Sequence, residues 1–213
     1  LTHFFLLVLA RAVSKEIPEF NTYVRRGKII PRPTIDAGLS VLQANGSMSS
    51  IIVPKTDELS LSGLVAFLND EIVNSRKGGE NGAAENKNIL AKLPWPIRNW
   101  FFSFYRTLTI KWGISMPVIG MSANSFGSFM LTNIGSLGLD YGFPALLPTS
   151  NISFVFVMGG VEKKPVVIND EIVIRRIMSA SIVFDHRTAD ASQGAKLFKF
   201  IKNAVKHPEE YEN

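Results

Sequence analysis

The stretch that decides the fold is Ile182-Val183-Phe184-Asp185-His186-Arg187-Thr188-Ala189-Asp190-Ala191-Ser192-Gln193-Gly194. Just upstream, Met178, Ala180 and the first residues of this stretch alternate in the period of two that is typical of a strand with one face in a core. Downstream, apolar residues from Leu197 to Val205 recur at helical spacing, with lysines mostly on the other side. The sequence therefore predicts a strand, a turn and an amphipathic helix.

A histidine occupies the predicted turn. If strand geometry persists to His186, its imidazole shares the face of Phe184 and Ile182, and this apolar setting favours the neutral, proton-accepting form. A histidine in this position can equally be a structural residue of the core. Asp190 also has a structural alternative, because Asp190 and Gln193 have the spacing of a capping box. From the residues alone, these alternatives remain open.

The run Phe184-Asp185-His186-Arg187 with Asp190, followed by a helix that ends in Lys206-His207-Pro208-Glu209, resembles a known signature. It is similar to the C-terminal end of the catalytic acyltransferase domain of 2-oxoacid dehydrogenase complexes. Chloramphenicol acetyltransferase shares the fold of that domain and its histidine and aspartate.

Three further segments resemble the same family in the same order. Residues 12–21 are similar to its early helix and Pro-x-x-Asn turn. Residues 35–41, 51–54 and 59–61 are similar to its central hairpin and the start of the next helix. Residues 128–138 are similar to the strand and turn that hold its oxyanion-stabilising hydroxyl. The resemblance therefore extends over most of the chain.

The resemblance implies an α/β two-layer sandwich, in which helices cover one face of a mixed sheet. It also implies a CoA-dependent acyltransferase that moves an acyl group between CoA and a thiol or hydroxyl acceptor. His186 matches the general base, Thr132 matches the hydroxyl donor that is usually serine, and Asp190 matches the aspartate that supports the turn. The expected structural residues at the site are Asp185, Arg187 and Asn133.

The family resemblance further implies a homotrimer or a larger assembly of trimers. Each active site would then combine His186 of one chain with Thr132 of its neighbour. Coenzyme A, as acyl-CoA, is the expected substrate. No lipoyl domain is visible in the sequence, so we expect no lipoyl group on this chain, and the acceptor can be a small molecule or a lipoyl-bearing protein.

Two departures from the family favour an alternative function. Ala191 stands where the family has glycine, which would narrow the site if a positive φ or close approach is required there. The chain begins at Leu1 within a predicted helix and lacks the family's N-terminal helix and strand, with the arginine that usually contacts the aspartate. We therefore expect an N-terminally incomplete sequence. The alternative is a weak or inactive homologue that keeps the fold as an oligomeric scaffold.

Composition places further limits on the protein. With 213 residues and 46% hydrophobic content, residues 1–213 can form a single domain around one core. The absence of cysteine excludes disulfides, thiolate metal sites and a cysteine nucleophile, and it is compatible with the cytoplasmic location that we expect. His3, His186 and His207 are far apart in sequence and show no metal-ligand spacing, so no metal is expected.

Apolar periodicity predicts the elements of the N-terminal half. Phe4 to Ala10 is predicted as a buried helix rather than a signal peptide, because Arg11 follows and the helical pattern continues. Residues 35–42 and 49–54 are predicted strands joined by a turn at 44–47. Residues 60–74 have an apolar stripe at helical spacing and are predicted as the second helix.

Residues 76–120 are predicted as an insertion, with a glycine-rich linker followed by an aromatic, basic helix that prolines open. From Arg76 to Trp112, seven lysines and arginines oppose two glutamates, a balance of +5 that equals the net charge of the chain. This longer connection resembles the stand-alone members of the superfamily, which have no lipoyl-bearing arm.

The favoured interpretation of the aromatic helix is packing against the body of the protein or a neighbouring subunit. Membrane contact through 94–112 as an interfacial helix and contact with an anionic cofactor are less favoured alternatives. No segment resembles a nucleic-acid-binding module, so binding to RNA or DNA is not expected despite a sequence pI near 9.5.

Overall fold

The computed structural model describes residues 1–43, 46, 48–76, 94–107, 112, 126–146 and 150–211. They form the predicted α/β two-layer sandwich. In chain order, the helices and strands are α1 (Thr2–Lys15), β1 (Thr22–Arg25), β2 (Lys28–Pro31), β3 (Ala37–Leu42), β4 (Met48–Val53), α2 (Leu61–Arg76), α3 (Trp95–Arg106), β5 (Phe129–Asn133), β6 (Phe154–Ile168), β7 (Glu171–Phe184) and α4 (Ala191–Lys206).

The main sheet is mixed and has the strand order β4-β3-β5-β6-β7. Its inner pairs, β3 with β5 and β5 with β6, are parallel, whereas the two outer pairs are antiparallel. Strands β1 and β2 form a separate hairpin that turns at Arg26 and Gly27, both with positive φ. Parallel neighbours in the middle require crossover connections, which place helices over the sheet.

Alternation along the strands decides which face the helices cover. Phe129 and Leu131 of β5, with Phe154 and Phe156 of β6, are fully buried in one cluster with apolar residues of α1, α2 and α4. Residues 6–10 of α1 are fully buried, so this apolar run is a core helix as predicted. Burying each large side chain contributes about 1.5–3 kcal/mol before entropy is counted.

The opposite face of the sheet carries a smaller cluster around Ile152, Val155 and Val157, with Met130 and Ile134 packed against it. Sequence analysis did not predict β6 or the first half of β7. Beyond the irregularity between Met158 and Val161, these strands continue as a two-stranded arm that β5 does not reach. The missed elements therefore include the longest strands of the described chain.

Several predicted elements agree with the structure. Strands β3 and β4 and helix α2 lie within one or two residues of the predicted ranges. The predicted turn at 44–47 and the glycine-rich linker of the 76–120 insertion lie largely outside the described residues. In α3, Ile97, Trp100 and Phe104 are half or more exposed, so the described part of the chain does not cover this stripe, and packing against a neighbouring subunit stays a prediction.

A buried network centred on Ser128 joins distant parts of the chain. The Ser128 hydroxyl, which is fully buried, donates to Asn21 Oδ1 at 2.7 Å and accepts from the amide of Asp36 at 3.2 Å. The carbonyl of Ser128 accepts from the Ser153 amide at 3.1 Å. Ser153, also buried, donates its hydroxyl to the Phe20 carbonyl. These bonds connect the turn after α1, the start of β3, and the strands β5 and β6.

We expect Ser128→Ala to lower the free energy of unfolding by about 1–3 kcal/mol, because Asn21 Oδ1 loses its buried donor and the Asp36 amide loses its acceptor. Urea denaturation followed by circular dichroism measures the change. Ser103→Ala, an exposed serine of α3, is the control and should stay within about 0.5 kcal/mol. Equal effects of the two substitutions would contradict a structural role for the Ser128 network.

Candidate active site

The predicted turn begins where β7 ends, at Phe184, and Asp185 organises it. The Asp185 amide donates to the Ser153 carbonyl at 2.8 Å, which joins the turn to the Ser128 network. Its own carbonyl accepts from the Thr188 amide at 2.9 Å and from the Thr188 hydroxyl at 3.0 Å. The backbone on either side of His186 is therefore fixed by hydrogen bonds.

The carboxylate of Asp185 holds Arg187 within the turn. Arg187 Nε donates to Asp185 Oδ1 at 2.9 Å, and Arg187 Nη2 donates to Oδ2 at 2.6 Å. The Arg187 amide also donates to Oδ1 at 3.0 Å. Partial burial raises the pKa of Asp185, but the hydrogen bonds from Arg187 lower it more, so the net shift is downward. Asp185 is thus a carboxylate that organises the turn rather than a proton carrier.

His186 itself projects outward from this turn. Its ring packs on the Phe184 ring, with centroids 4.6 Å apart, yet the side chain is 72% exposed. Among the described residues, the expected apolar setting is therefore limited to the contact with Phe184, because β7 ends before His186. Nδ1 lies 3.7 Å from Asp190 Oδ1, too long for a hydrogen bond. Nε2 lies on the other side of the ring and is the nitrogen best placed to meet a substrate.

Asp190 begins α4 in the manner that its spacing to Gln193 predicts. It is the N-cap residue, the capping box is present, and its amide donates to Gln193 Oε1 at 3.0 Å. Ala191 is the first residue of α4 and has no positive φ. The position therefore does not need glycine for its backbone conformation, and Ala191 imposes no strain on the turn.

Thr132 lies on β5, on the sheet face away from the helices. In the parallel register it is opposite Val157, and its side chain is partly buried. Within the described residues the Thr132 hydroxyl has no hydrogen-bond partner. It is therefore free to donate to a group that approaches this face.

The turn after Thr132 is fixed by close backbone packing. Asn133 Nδ2 donates to the Thr2 hydroxyl at 2.9 Å, and its carbonyl accepts from the Ser136 hydroxyl at 2.7 Å. At Gly135 an added Cβ would lie 2.5 Å from the carbonyl oxygen of Gly159, so only glycine allows this approach. Gly138 ends the turn with a φ of 78°. Asn133 thus has a structural role in positioning the end of β5.

One chain does not bring His186 and Thr132 together. Thr132 is opposite Val157, Val157 is opposite Ser181, and His186 follows five residues after Ser181. Two strand spacings and this distance along β7 separate the two side chains by roughly 15–20 Å. The two predicted groups can act on one substrate only if they come from different chains.

Cavities of the described chain do not supply a complete site either. A groove of about 900 Å³ runs along α4 beside Lys196, Lys199, Lys202 and Lys206 and includes neither His186 nor Thr132. Its volume does not make it the site, because neither predicted catalytic side chain lines it. In the part of the chain that the structure describes, no cluster of histidines and carboxylates could hold a metal ion.

Ser153 is the contributor to this site that sequence analysis missed. Its carbonyl holds the Asp185 amide, and its hydroxyl and amide join the Ser128 network. The only available signal was a small polar residue directly before the apolar run that forms β6. A pairing partner so distant in sequence cannot be identified from that signal.

Comparison with known proteins supports the resemblance. Residues 121–212 match the family model of the 2-oxoacid dehydrogenases acyltransferase (catalytic domain). The chain is 29% identical over 92 residues to the dihydrolipoyllysine-residue acetyltransferase component of the pyruvate dehydrogenase complex of Acholeplasma laidlawii, covering 42% of this chain and 16% of that protein. It is 23% identical over 208 residues to the corresponding component of the acetoin cleaving system of Bacillus subtilis, covering 98% of this chain and 42% of that protein.

Solved structures share the fold over nearly the whole chain. A probable dihydrolipoamide acetyltransferase from Listeria monocytogenes superposes with a TM-score of 0.68 at 21% identity, covering 96% of this chain and 69% of that one. The cubic core of a pyruvate dehydrogenase multienzyme complex gives 0.65 at 16% identity, covering 95% and 67%.

The chain spans less than half the length of these two curated relatives. The comparisons nevertheless confirm that this chain resembles the acyltransferase catalytic domain of 2-oxoacid dehydrogenases, by sequence over residues 121–212 and by fold over nearly all of its length.

Proposed function

We propose that the protein is a CoA-dependent acyltransferase, with His186 as general base and Thr132 as oxyanion donor. The observation that carries this proposal is the geometry of the His186 turn. The turn is fixed by Asp185 and Arg187, yet it leaves the imidazole exposed, and no hydrogen bond to Nε2 is found among the described residues. A histidine kept only for packing would be expected to lie in the core.

The reaction requires one proton acceptor and one hydrogen-bond donor. His186 Nε2 takes the proton of the attacking thiol, and the thiolate adds to the carbonyl carbon of the acyl thioester. The Thr132 hydroxyl donates to the oxyanion that forms. When the tetrahedral intermediate collapses, the carbon–sulfur bond to the leaving thiol breaks, and that sulfur takes the proton back from His186. Atoms and charge balance without a metal or an oxidant.

Asp190 supports the histidine from nearby, without a hydrogen bond to the ring, because its carboxylate lies 3.7 Å from Nδ1. The carboxylate lies on the Nδ1 side of His186, and Asp190 is also the N-cap residue of α4, so this residue links the ring to the start of the helix. In the dihydrolipoamide acetyltransferase of Azotobacter vinelandii, a serine, a histidine and an asparagine have been investigated for a role in the catalytic mechanism. That histidine and asparagine are four residues apart, as are His186 and Asp190.

We infer that the active site forms between chains of a homotrimer or a larger assembly of trimers. The separation of His186 and Thr132 within one chain supports this arrangement, because a single thioester carbonyl cannot reach both groups. Several relatives are named as dihydrolipoyllysine acyltransferases, so a lipoyl-bearing protein is one candidate acceptor and a small thiol is another.

A scaffold without activity is the second candidate function. Ala191 favours it, because the resemblance places glycine at this position and the alanine methyl group would narrow a close approach of substrate. The same oligomer would form in this case, but acyl-CoA would not be consumed. The following two predictions distinguish the candidates.

His186→Ala should lower the rate of acyl transfer from acetyl-CoA to a dithiol by about 10²–10⁴. Because the side chain is largely exposed, the free energy of unfolding should change by less than about 1 kcal/mol. Release of CoA thiol measures the rate, and urea denaturation measures stability. His207→Ala removes another exposed histidine, which lies at the end of α4, and serves as the matched control.

Retained activity in His186→Ala would reject the proposed base. A wild-type protein that forms the oligomer but neither binds nor consumes acyl-CoA would favour the scaffold.

Thr132→Ala should lower the rate by about 10–10³, whereas Thr132→Ser should retain most of it, because serine keeps the hydroxyl. Co-assembly of His186→Ala chains with Thr132→Ala chains tests the division of the site. Random mixing would restore roughly one quarter of the sites, since each site needs an intact histidine from one chain and an intact threonine from its neighbour. No recovery in verified mixed oligomers would contradict a site shared between chains.

A further inference from the structure

Helix α3 presents an apolar stripe that the described part of the chain leaves open. Ile97, Trp100 and Phe104 follow one another at helical spacing and are 53%, 69% and 50% exposed. The rings of Trp100 and Phe104 stack with centroids 5.7 Å apart. An exposed stripe of this composition is costly in water and marks an interaction surface.

The end of α3 is anchored beside a basic turn. The Trp112 amide donates to the carbonyl of Thr107, the residue that follows α3, at 3.0 Å. Arg25 Nε donates to the Trp112 carbonyl at 2.9 Å, and the Arg26 guanidinium lies 5.0 Å from the centre of the Trp112 ring. The exposed side chains of Arg26 and Lys28 flank this junction. We call α3, Trp112 and the turn at residues 25–28 the aromatic surface.

Charge on the aromatic surface has one sign. The described side chains of α3 include the cation Arg98, and the sequence of residues 94–112 contains no acidic residue. Residues 22–31 contain Arg25, Arg26 and Lys28 and again no acidic residue. Apolar aromatic side chains beside uncompensated cations are the combination that binds at the interface of an anionic bilayer, where rings enter the headgroup region and cations meet lipid phosphates.

We propose that the aromatic surface is a peripheral binding site for anionic lipid membranes, with α3 lying in the plane of the interface. No described helix is both long and apolar enough to cross a bilayer. A helix with an apolar aromatic stripe beside cations is suited to the interfacial position. The proposal does not rest on acyl transfer, because α3 contains none of the groups assigned to that reaction.

Two other occupants fit the aromatic surface less well. A second copy of the same surface would bring arginines and lysines against one another, and such like-charge contacts oppose pairing. A nucleic acid would match the charge, but the stacked pair Trp100 and Phe104 with Ile97 forms a continuous apolar stripe rather than separated rings that could receive bases. An anionic bilayer satisfies both the charge and the apolar area.

Tryptophan fluorescence of the chain can report lipid binding at the aromatic surface. All three of its tryptophans, Trp95, Trp100 and Trp112, belong to the aromatic surface and are 70%, 69% and 49% exposed. The full chain is mixed with phosphatidylcholine vesicles, with and without phosphatidylglycerol. Co-sedimentation should give a partition coefficient at least about tenfold higher with the anionic lipid. Tryptophan emission should shift to the blue, and brominated lipids should quench it.

Variants separate the apolar from the electrostatic contribution. Phe104→Glu keeps every tryptophan and should lower partitioning by at least about tenfold. Phe143→Glu, at an 82% exposed phenylalanine outside the aromatic surface, is the matched control and should bind like the wild type. Arg26→Gln with Lys28→Gln should weaken binding to anionic vesicles, whereas Arg175→Gln with Arg176→Gln on the exposed part of β7 should change it less.

Each remaining outcome would overturn the proposal. One is the absence of binding to anionic vesicles, and another is an equal loss of vesicle binding in Phe104→Glu and Phe143→Glu. A third is a blue shift of tryptophan emission that depends on protein concentration without lipid, which would assign the surface to a second copy. Binding to a single-stranded RNA but not to vesicles would assign it to nucleic acid. Thermal melts of all variants confirm that they remain folded.

Discussion

The hydrogen bond from the Asp185 amide to the Ser153 carbonyl is the constraint on which the candidate site depends. Ser153 is held in turn by Ser128, and Ser128 by Asn21 and the start of β3. The turn that carries His186 is therefore built on buried bonds between β5, β6 and the segment after α1. This connection fixes the backbone position of an exposed histidine even though its ring is not enclosed.

The sheet also explains why one chain holds only half of the proposed chemistry. Parallel pairing of β5 with β6 and antiparallel pairing of β6 with β7 place Thr132 and the His186 turn at different levels of the sheet. No described element of the chain brings the Thr132 side chain close to the His186 turn. In the proposed mechanism, the exposed imidazole and the threonine hydroxyl would form a catalytic pair only with a neighbouring chain, which would link activity to assembly.

Sequence analysis succeeded where the signal was local. The end of β7, the capping box of Asp190 and Gln193, and α4 follow from neighbouring residues, and the buried α1 follows from its apolar run. It failed where the outcome depends on distant partners. His186 is exposed because β7 ends just before it, where the Asp185 amide bonds to the distant Ser153. Strand β6 was not predicted because Lys163 and Lys164 interrupt its apolar pattern. Exposure of the α3 stripe cannot be read from periodicity, which shows an apolar face but not what covers it.

The most direct test of the shared site is an experimental structure of the assembled oligomer, with the distance from His186 Nε2 of one chain to Thr132 Oγ1 of its neighbour measured. If both groups act on one thioester carbonyl, that distance should be within roughly 10 Å, close enough for a bound acyl group to contact both. A stable monomer, or an oligomer in which every such pair remains more than about 15 Å apart, would contradict the account.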